Sequence, residues 1–349
     1  MLETILKRVV RMNKGQKILK NIGMSLVIPA AVYLFFFVLT KALGIDGFGV
    51  GVDMQTIIFV AIYNALIAMA MAINLTNGRF DFAVGSTMVL SIIISGNIVK
   101  DLNLGVIPFV IITMIAGALI GLVSGLVYVL LKLPPMVVSL GLAMLYEAVG
   151  FIIKKANGIK LIGYNHLLKF ANPPWSIVLI VVVLIIMVII WDFTQFGYNR
   201  EALGSGQKIT TDVGVNEKKN AVICYVIAGV LLSLAMLVYI SKYGAVTPST
   251  GLSSSSYFMT AFLPMFIGGV IAKYSSRPIA IFIGAFTQGI ISSGLVKLGA
   301  SNSTLTVVNG AIVMVFLIYT SNSYKLIEAK MFKEKLAKAK ASRSEKSAS

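Results

Sequence analysis

Near-continuous apolar runs of about 20 residues constrain this chain more than any other feature. Such a run, when helical, matches the hydrocarbon thickness of a bilayer. The ten predicted spans are Met24–Leu43, Met54–Leu75, Ala83–Val99, Val106–Leu131, Met136–Ile153, Ser176–Trp191, Ala221–Ile240, Tyr257–Ala272, Ile279–Leu295 and Thr306–Thr320. The third and sixth of these are short, as is typical of tilted or partly re-entrant segments. Eight or nine crossings are therefore alternatives to ten.

Composition excludes two other architectures. Only 12% of the 349 residues are charged and 58% are hydrophobic, whereas soluble domains carry about 25% charged residues. A transmembrane barrel does not fit either, because its strands alternate apolar and polar residues over about 10 positions. The predicted fold class is an all-α polytopic membrane protein with about ten transmembrane helices.

Basic residues gather at both ends of the chain. We divide it into a basic interfacial segment, 1–23, a transmembrane domain, 24–322, and a basic tail, 323–349. Because cytoplasmic segments are rich in Lys and Arg, both termini are predicted to be cytoplasmic. One predicted outer loop disagrees, since it carries Lys154, Lys155, Lys160 and Lys169. The net charge of +17 is spread over these ends and loops, which indicates membrane lipid as a partner and argues against nucleic acid.

A polar string interrupts the apolar runs between the second and third spans. Residues 74–86 hold polar side chains and two glycines, in a place where hydrocarbon offers no hydrogen-bond partner. Asn74, Asp81 and Ser86 are therefore candidates for lining a solute pathway or for ordering a broken helix. Asp81 precedes the third span, and we expect it to cap that helix more than to contact solute.

Other polar side chains lie inside the spans themselves. The pathway candidates are Asn64, Glu147, Gln288 and Asn309. Helix-to-helix hydrogen bonding is the simpler interpretation of each amide. Glu147 is costly to bury and is expected to face a cavity or a partner, although it also lies near the outer end of its span.

Gly117, Gly121 and Gly125 recur every four residues on one face of the fourth span. Such a stripe lets another helix approach closely. Packing within the chain is the favoured interpretation, and contact with a second subunit is the alternative.

The longest predicted cytoplasmic loop, about 195–219, separates the sixth and seventh spans. A short helix is expected at its centre, beginning near Ser205 or Gly206 and ending before Gly214. A partner that pushes on such a helix would move both adjoining spans. An ordinary connector is the alternative.

Four short motifs occur in a fixed order along residues 50–322. They are Gly78-Arg-Phe-Asp-Phe-Ala-Val-Gly-Ser86, Leu133-Pro-Pro135 with Ser139-Leu-Gly141, Ala202-Leu-Gly204 with Gly214-Val-Asn216, and Phe266-Ile-Gly-Gly269. The ordered set resembles the membrane permease subunits of ribose-type (simple sugar or nucleoside) bacterial ABC importers, in the branched-chain permease superfamily. The loop departs from that pattern, because Ile209-Thr210 stands where the family has an alanine pair and Thr211 stands where it has an arginine.

The resemblance implies a transport subunit of a bacterial inner membrane and several partners. A separate cytoplasmic ATPase would use ATP and Mg²⁺ and dock on the loop, whose coupling residues are Arg200, Glu201, Ala202, Leu203, Gly204, Gly206, Gly214, Val215 and Asn216. An external solute-binding protein would deliver a small polar solute, most simply a monosaccharide. A second permease copy or a related chain would complete a dimer.

A faint internal repeat fits this fold. Gly117-Ala118 to Ser139-Leu-Gly141 is similar to Gly284-Ala285 to Val308-Asn-Gly310, and in the predicted topology the copies have opposite directions. Two inverted-topology halves are therefore expected, with the pathway at their interface. Chance similarity is the alternative.

Catalytic and metal-binding chemistry is not expected. The chain lacks a phosphate-binding Gly-x-x-x-x-Gly-Lys loop. His166 and Cys224 are its only histidine and cysteine, which gives no catalytic dyad and no metal site, so no cofactor is predicted on this chain. The alternatives are a nucleoside or branched-chain amino-acid ABC permease, an ion-coupled secondary transporter, and a membrane enzyme or scaffold.

Overall fold

A computed structural model describes residues 14–301, 303–315, 317, 318 and 322. Most of the predicted basic ends, 1–23 and 323–349, lie outside the described residues. The helices are α1 (Lys14–Ala42), α2 (Val52–Leu75), α3 (Val84–Asp101), α4 (Val106–Leu131), α5 (Pro135–Ile152), α6 (Trp175–Asp192), α7 (Gln195–Ser205), α8 (Gln207–Asp212), α9 (Glu217–Tyr243), α10 (Ser256–Ile271), α11 (Arg277–Lys297) and α12 (Ser303–Val315).

Each predicted span coincides with a helix over the residues that the structure describes, so the all-α polytopic membrane fold is confirmed. Among the described residues, eight helices are long and apolar enough to cross a membrane. The third and tenth predicted spans correspond to α3 and α12, which are not among those eight. Helix α3 is buried within the protein along most of its length, from Val84 to Ile93 without interruption. Its polar residues are therefore shielded from lipid by neighbouring helices, which explains its low hydropathy.

The helices of the first unit, residues 1–300, pack in a reciprocal pattern. Helix α2 packs on α11 just as α9 packs on α4, and α2 and α9 pack on each other. Helix α3 contacts α9 in the same way that α10 contacts α2. Two inverted copies in which α2, α3 and α4 correspond to α9, α10 and α11 would produce this pattern. The second unit begins at residue 301 and contains α12, on which Asn309 lies.

Contacts between helix ends show which connecting segments lie on the same side of the protein. On one side, Asp53 in the first turn of α2 pairs with Lys297 at the end of α11 at 3.0 Å, and Asp101 pairs with Lys154 at 2.7 Å. The short antiparallel strands β1 (Ile159–Lys160) and β2 (Ala245–Val246) also lie there, paired Ile159 to Val246. This side corresponds to the predicted outer face, where the lysine-rich loop is held by Asp101 and the strand pair.

The glycine stripe of α4 forms a seam with α9. A Cβ on Gly117 or Gly121 would overlap a backbone carbonyl of α9, and one on Gly125 would lie 2.9 Å from the Cα of Val222. Gly229 on α9 faces the Gly117 carbonyl in return. The two backbones are in direct contact, so the stripe packs within the chain.

Candidate functional site

The polar string forms the connector between α2 and α3, residues 76–83. Gly78 takes a left-handed backbone at φ +71°, where glycine costs little. The backbone N–H of Ala83 donates to Asp81 Oδ1 at 2.8 Å, just before α3 begins. Ser86 Oγ donates to the Ala83 carbonyl at 3.0 Å. Asp81 and Ser86 thus bind backbone at the start of α3.

A second connector meets the first inside the protein. A Cβ on Gly85, in the first turn of α3, would overlap the carbonyl oxygen of Ser254, which lies two residues before α10. In the predicted topology α3 begins from the inner side and α10 from the outer side. Their starts can touch only if both helices begin in the interior of the protein. The two connectors, 76–83 and 247–255, therefore converge on one central crossing.

Glu147 of α5 fixes this crossing from the side. It is 4% exposed, and its Oε2 and Oε1 accept the backbone N–H groups of Leu252 at 2.8 Å and Ser254 at 2.9 Å. Leu252 has a left-handed backbone, φ +64°, and the N–H groups of Leu252 and Ser254 both donate to the one carboxylate. The buried carboxylate therefore finds its partner in the backbone of the second connector.

The loop at 195–219 folds into two helices, α7 and α8, where one was expected. Thr194 Oγ1 accepts the Gly197 N–H at 3.2 Å to cap α7, and Asn216 Oδ1 accepts the Lys219 N–H at 2.9 Å to cap α9. Gly206 separates α7 from α8, and Gly214, at φ +97°, lies two residues past the end of α8. The expected central helix corresponds to α8, whereas α7 is an addition.

Arg200 anchors α7 to the first connector. Its Nη1 donates to Thr76 Oγ1 at 2.9 Å, and its guanidinium lies 4.7 Å from the ring centre of Trp191. Burial, and to a smaller degree the charge of Arg277, lowers the pKa of Arg200 to about 10. A Cβ on Gly204 would lie 2.7 Å from the Thr76 carbonyl oxygen. The α7 backbone therefore rests directly on the connector.

The remaining coupling candidates differ in exposure. Leu203 is buried, Glu201 is exposed, and the Ala202 carbonyl accepts from Thr210 Oγ1 at 2.9 Å. This last bond ties α8 back onto α7. Val215 is half-buried in the turn that leads to Asn216.

A second buried cation lies beneath α7. Arg79 is 2% exposed, and its Nη2 donates to Cys224 Sγ of α9 at 3.4 Å. The Nε atoms of Arg79 and Arg200, and Oδ1 of the neighbouring Asn74, are buried without a hydrogen-bond partner among the described residues. The inner end of the site is thus positively charged and incompletely satisfied.

The amides inside the spans do not form one cluster. Asn64 Nδ2 donates to Gln288 Oε1 at 2.8 Å, which joins α2 to α11 by a buried hydrogen bond. Asn74 is buried at the inner end of α2. Asn309 lies on α12, in the second unit.

Aromatic side chains surround the crossing, and sequence reasoning did not single them out. Phe80 and Phe82 of the first connector pack on Phe258 of α10, with ring centres 5.9 and 5.5 Å apart. A separate group joins Tyr63, 5.6 Å from Tyr239, which is 5.9 Å from Tyr257. Only the paired spacing of Phe80 and Phe82 inside the polar string could have indicated the first group.

The crossing is built from backbone contacts that a few polar side chains hold in place. Within the part of the chain that the structure describes, no three His, Cys, Asp or Glu side chains come together as a metal site. The polar groups at the crossing are engaged with backbone, as Asp81 and Glu147 illustrate. The site therefore consists of two helices, α3 and α10, that begin in the interior of the protein, and of a surface helix, α7, that contacts the connector leading to α3.

Comparison with known proteins gives a family match over most of the chain. Residues 53–317 match the family described as branched-chain amino acid transport system / permease component. No solved structure is significantly similar to the chain.

Curated relatives are similar at low identity but over most of their length. A fructose import permease protein of Rhizobium meliloti is 25% identical over 309 residues, which cover 82% of this chain and 84% of the relative. A ribose import permease protein of Escherichia coli K12 is 22% identical over 264 residues, 73% and 81% of the two chains. A galactose/methyl galactoside import permease protein of Haemophilus influenzae is 24% identical over 333 residues, 87% and 97%.

Proposed function

Because this chain belongs to the family of branched-chain amino acid transport system permease components, we propose that it is the membrane-spanning subunit of an ATP-driven importer of a small polar solute. The chain transports and a separate partner hydrolyses ATP with Mg²⁺. Relatives named for fructose, ribose and galactose import support a monosaccharide as the solute.

The observation that carries this proposal is the surface of α8. Ile209 in α8 and Val213, directly after it, are 74% and 76% exposed, although α8 is a six-residue helix between polar segments and is not a membrane span. Exposed apolar side chains in such a place support a protein partner. The partner that a permease of this class requires on its cytoplasmic side is the ATPase, and α7–α8 is its docking segment.

Movement of the docking segment would reach the interior by direct contact. Arg200 and Gly204 of α7 bear on Thr76, so a displacement of α7 shifts the connector 76–83. That connector leads into the first turn of α3, where Gly85 lies beside Ser254. ATP binding would thus move one helix start against the other, and the crossing would open alternately to each face.

Orientation and assembly complete the proposal. Both termini face the cytoplasm of a bacterial cell, as the basic ends support. A second permease copy, or a related chain, surrounds the same pathway, and an external binding protein delivers the solute to the outer side. Basic segments contact anionic membrane lipid.

Reconstitution with the ATPase tests the proposal. Replacing Ile209 and Val213 with aspartate should abolish capture of the ATPase and ATP-dependent uptake, because charge disrupts an apolar contact. The matched control, Lys208→Asp and Thr211→Asp, alters the same helix at polar positions and should retain capture. Uptake that persists without any ATPase would indicate an ion-coupled carrier and overturn the proposal.

The solute is tested in the same vesicles. Ribose, fructose and galactose are compared with a nucleoside and with leucine, each delivered with its binding protein. We expect ATP-dependent uptake of a monosaccharide. Uptake of leucine or a nucleoside alone would contradict the sugar assignment while leaving the importer class intact.

A further inference from the structure

A cavity of about 300 Å³ opens between the beginning of α7 and the beginning of α9. Gln195 and Asn199 line it from α7, and Asn216 and Asn220 line it from α9. Its lining comes from both ends of the 195–219 segment and does not include Ile209 or Val213, the exposed apolar residues assigned to the ATPase contact.

The lining has a definite chemical character. Its amides each offer a donor and an acceptor, which is what the hydroxyl groups of a ligand need on both sides. Phe196 and Ile223 supply an apolar wall, and Lys219 is the cation of the set. A small number of oriented polar groups beside an aromatic face is typical of small-molecule sites. A neutral, hydroxyl-rich ring fits this combination.

Several of these groups are free to bind. Asn220 is 5% exposed, and its Oδ1 accepts from Cys224 Sγ at 3.5 Å. Asn216 Oδ1 accepts the Lys219 backbone N–H. The hydrogen bonds of the described residues leave the Nδ2 groups of both asparagines, and the whole side-chain amide of Asn199, without a partner. The cavity therefore presents unused donors and acceptors.

We propose that this cavity is a cytoplasm-facing binding site for one sugar-sized, hydroxyl-rich molecule, distinct from the transport pathway. Its volume equals about ten water molecules at about 30 Å³ each, which is the scale of a single sugar ring. The cytoplasmic location and the choice of a sugar as probe rest on the proposed function.

Occupancy would have a mechanical consequence. A ligand that bonds Asn199 and Asn220 together ties α7 to α9, whereas transport requires α7 to move with its partner. Solute that accumulates in the cytoplasm would then slow its own import. The site thus acts as a sensor of imported solute.

Equilibrium binding to the purified full chain in lipid nanodiscs tests the site, with D-ribose and D-fructose as separate probes and no ATPase present. We expect saturable binding of at least one sugar. Asn199→Leu, which fills the cavity and removes the amide, should weaken binding at least about tenfold, or ~1.4 kcal/mol. Gln195→Ala, at the exposed rim, should weaken it in the same direction. Gln207→Leu makes the amide-to-leucine change on exposed α8 and should leave affinity unchanged.

Three results would overturn the proposal. They are the absence of saturable binding of either sugar, sugar binding that both cavity variants leave unchanged, and binding of inorganic phosphate that displaces sugar. Sugar that binds in the transport pathway instead would give the second result, because neither cavity variant would change its binding. The binding assay contains no ATPase, so its result does not depend on the importer assignment. Failure of that assignment would appear separately, as ATP-independent uptake in the reconstituted vesicles.

Discussion

Gly85 at the start of α3 lies directly against the carbonyl oxygen of Ser254 at the start of α10, with no room for a Cβ between them. Two segments that enter the protein from opposite faces are therefore in backbone contact at its centre. Small residues permit such an approach between helices in a membrane.

Replacing Gly85 with valine should separate the two helix starts. The added side chain meets a backbone carbonyl that cannot rotate away, so we expect lost uptake and a free energy of unfolding lowered by at least about 1–3 kcal/mol. Gly141→Val is the control, because a Cβ on Gly141 meets nothing within 4 Å. Equal thermal stability of the two variants would contradict the contact.

Glu147→Gln should destabilise the second connector. The variant replaces one accepting oxygen with an NH₂ group that faces a backbone N–H, so we expect a cost of about 1–3 kcal/mol. Thermal unfolding measures it, and proteolysis between residues 247 and 255 reports local opening. Glu201→Gln, at an exposed glutamate of α7, serves as the matched control and should behave like the wild type.

Gly204→Ala should impair coupling more than Gly206→Ala. A Cβ on Gly204 would lie 2.7 Å from the Thr76 carbonyl oxygen, whereas one on Gly206 makes only ordinary contact, at 3.8 Å, with Ile209. We expect ATP hydrolysis by the complex to persist while uptake falls several-fold in the first variant. Parallel loss of uptake in both variants would show that the contact with Thr76 is not the transmitting one.

Removing the carboxylate of Asp81 should loosen the start of α3. The Ala83 N–H donates to Asp81 Oδ1 at 2.8 Å, so Asp81→Ala leaves that donor without its partner and should cost about 1–3 kcal/mol in thermal unfolding. Asp81→Asn keeps an acceptor for Ala83 and is the matched control. Equal losses in the two variants would contradict a role for this bond.

The spans were predictable because hydrophobic length is a local property. Helix α4 begins and ends where the apolar run does, at Val106 and Leu131. The interior starts of α3 and α10 were not predictable in the same way. Gly85 and Ser254 belong to different halves of the chain, and only packing brings them together.

The candidate site was predicted in part. Asp81 lies before α3, as its position indicated, and Gly206 and Gly214 bracket α8. Helix α7 was missed because residues 195–205 show little apolar periodicity, and its stability comes from the contact of Arg200 with Thr76 and Trp191. A contact between distant segments leaves no pattern in either one.

The glycine seam between α4 and α9 limits how this protein can be recombined with its relatives. Gly117 and Gly229 each occupy the space that a side chain on the other would need. A larger residue on one helix cannot be offset by a smaller one on the other, since both are already minimal. Chimeric permeases should therefore fold only when α4 and α9 both carry glycine at these two positions, which makes the two positions a single unit of exchange.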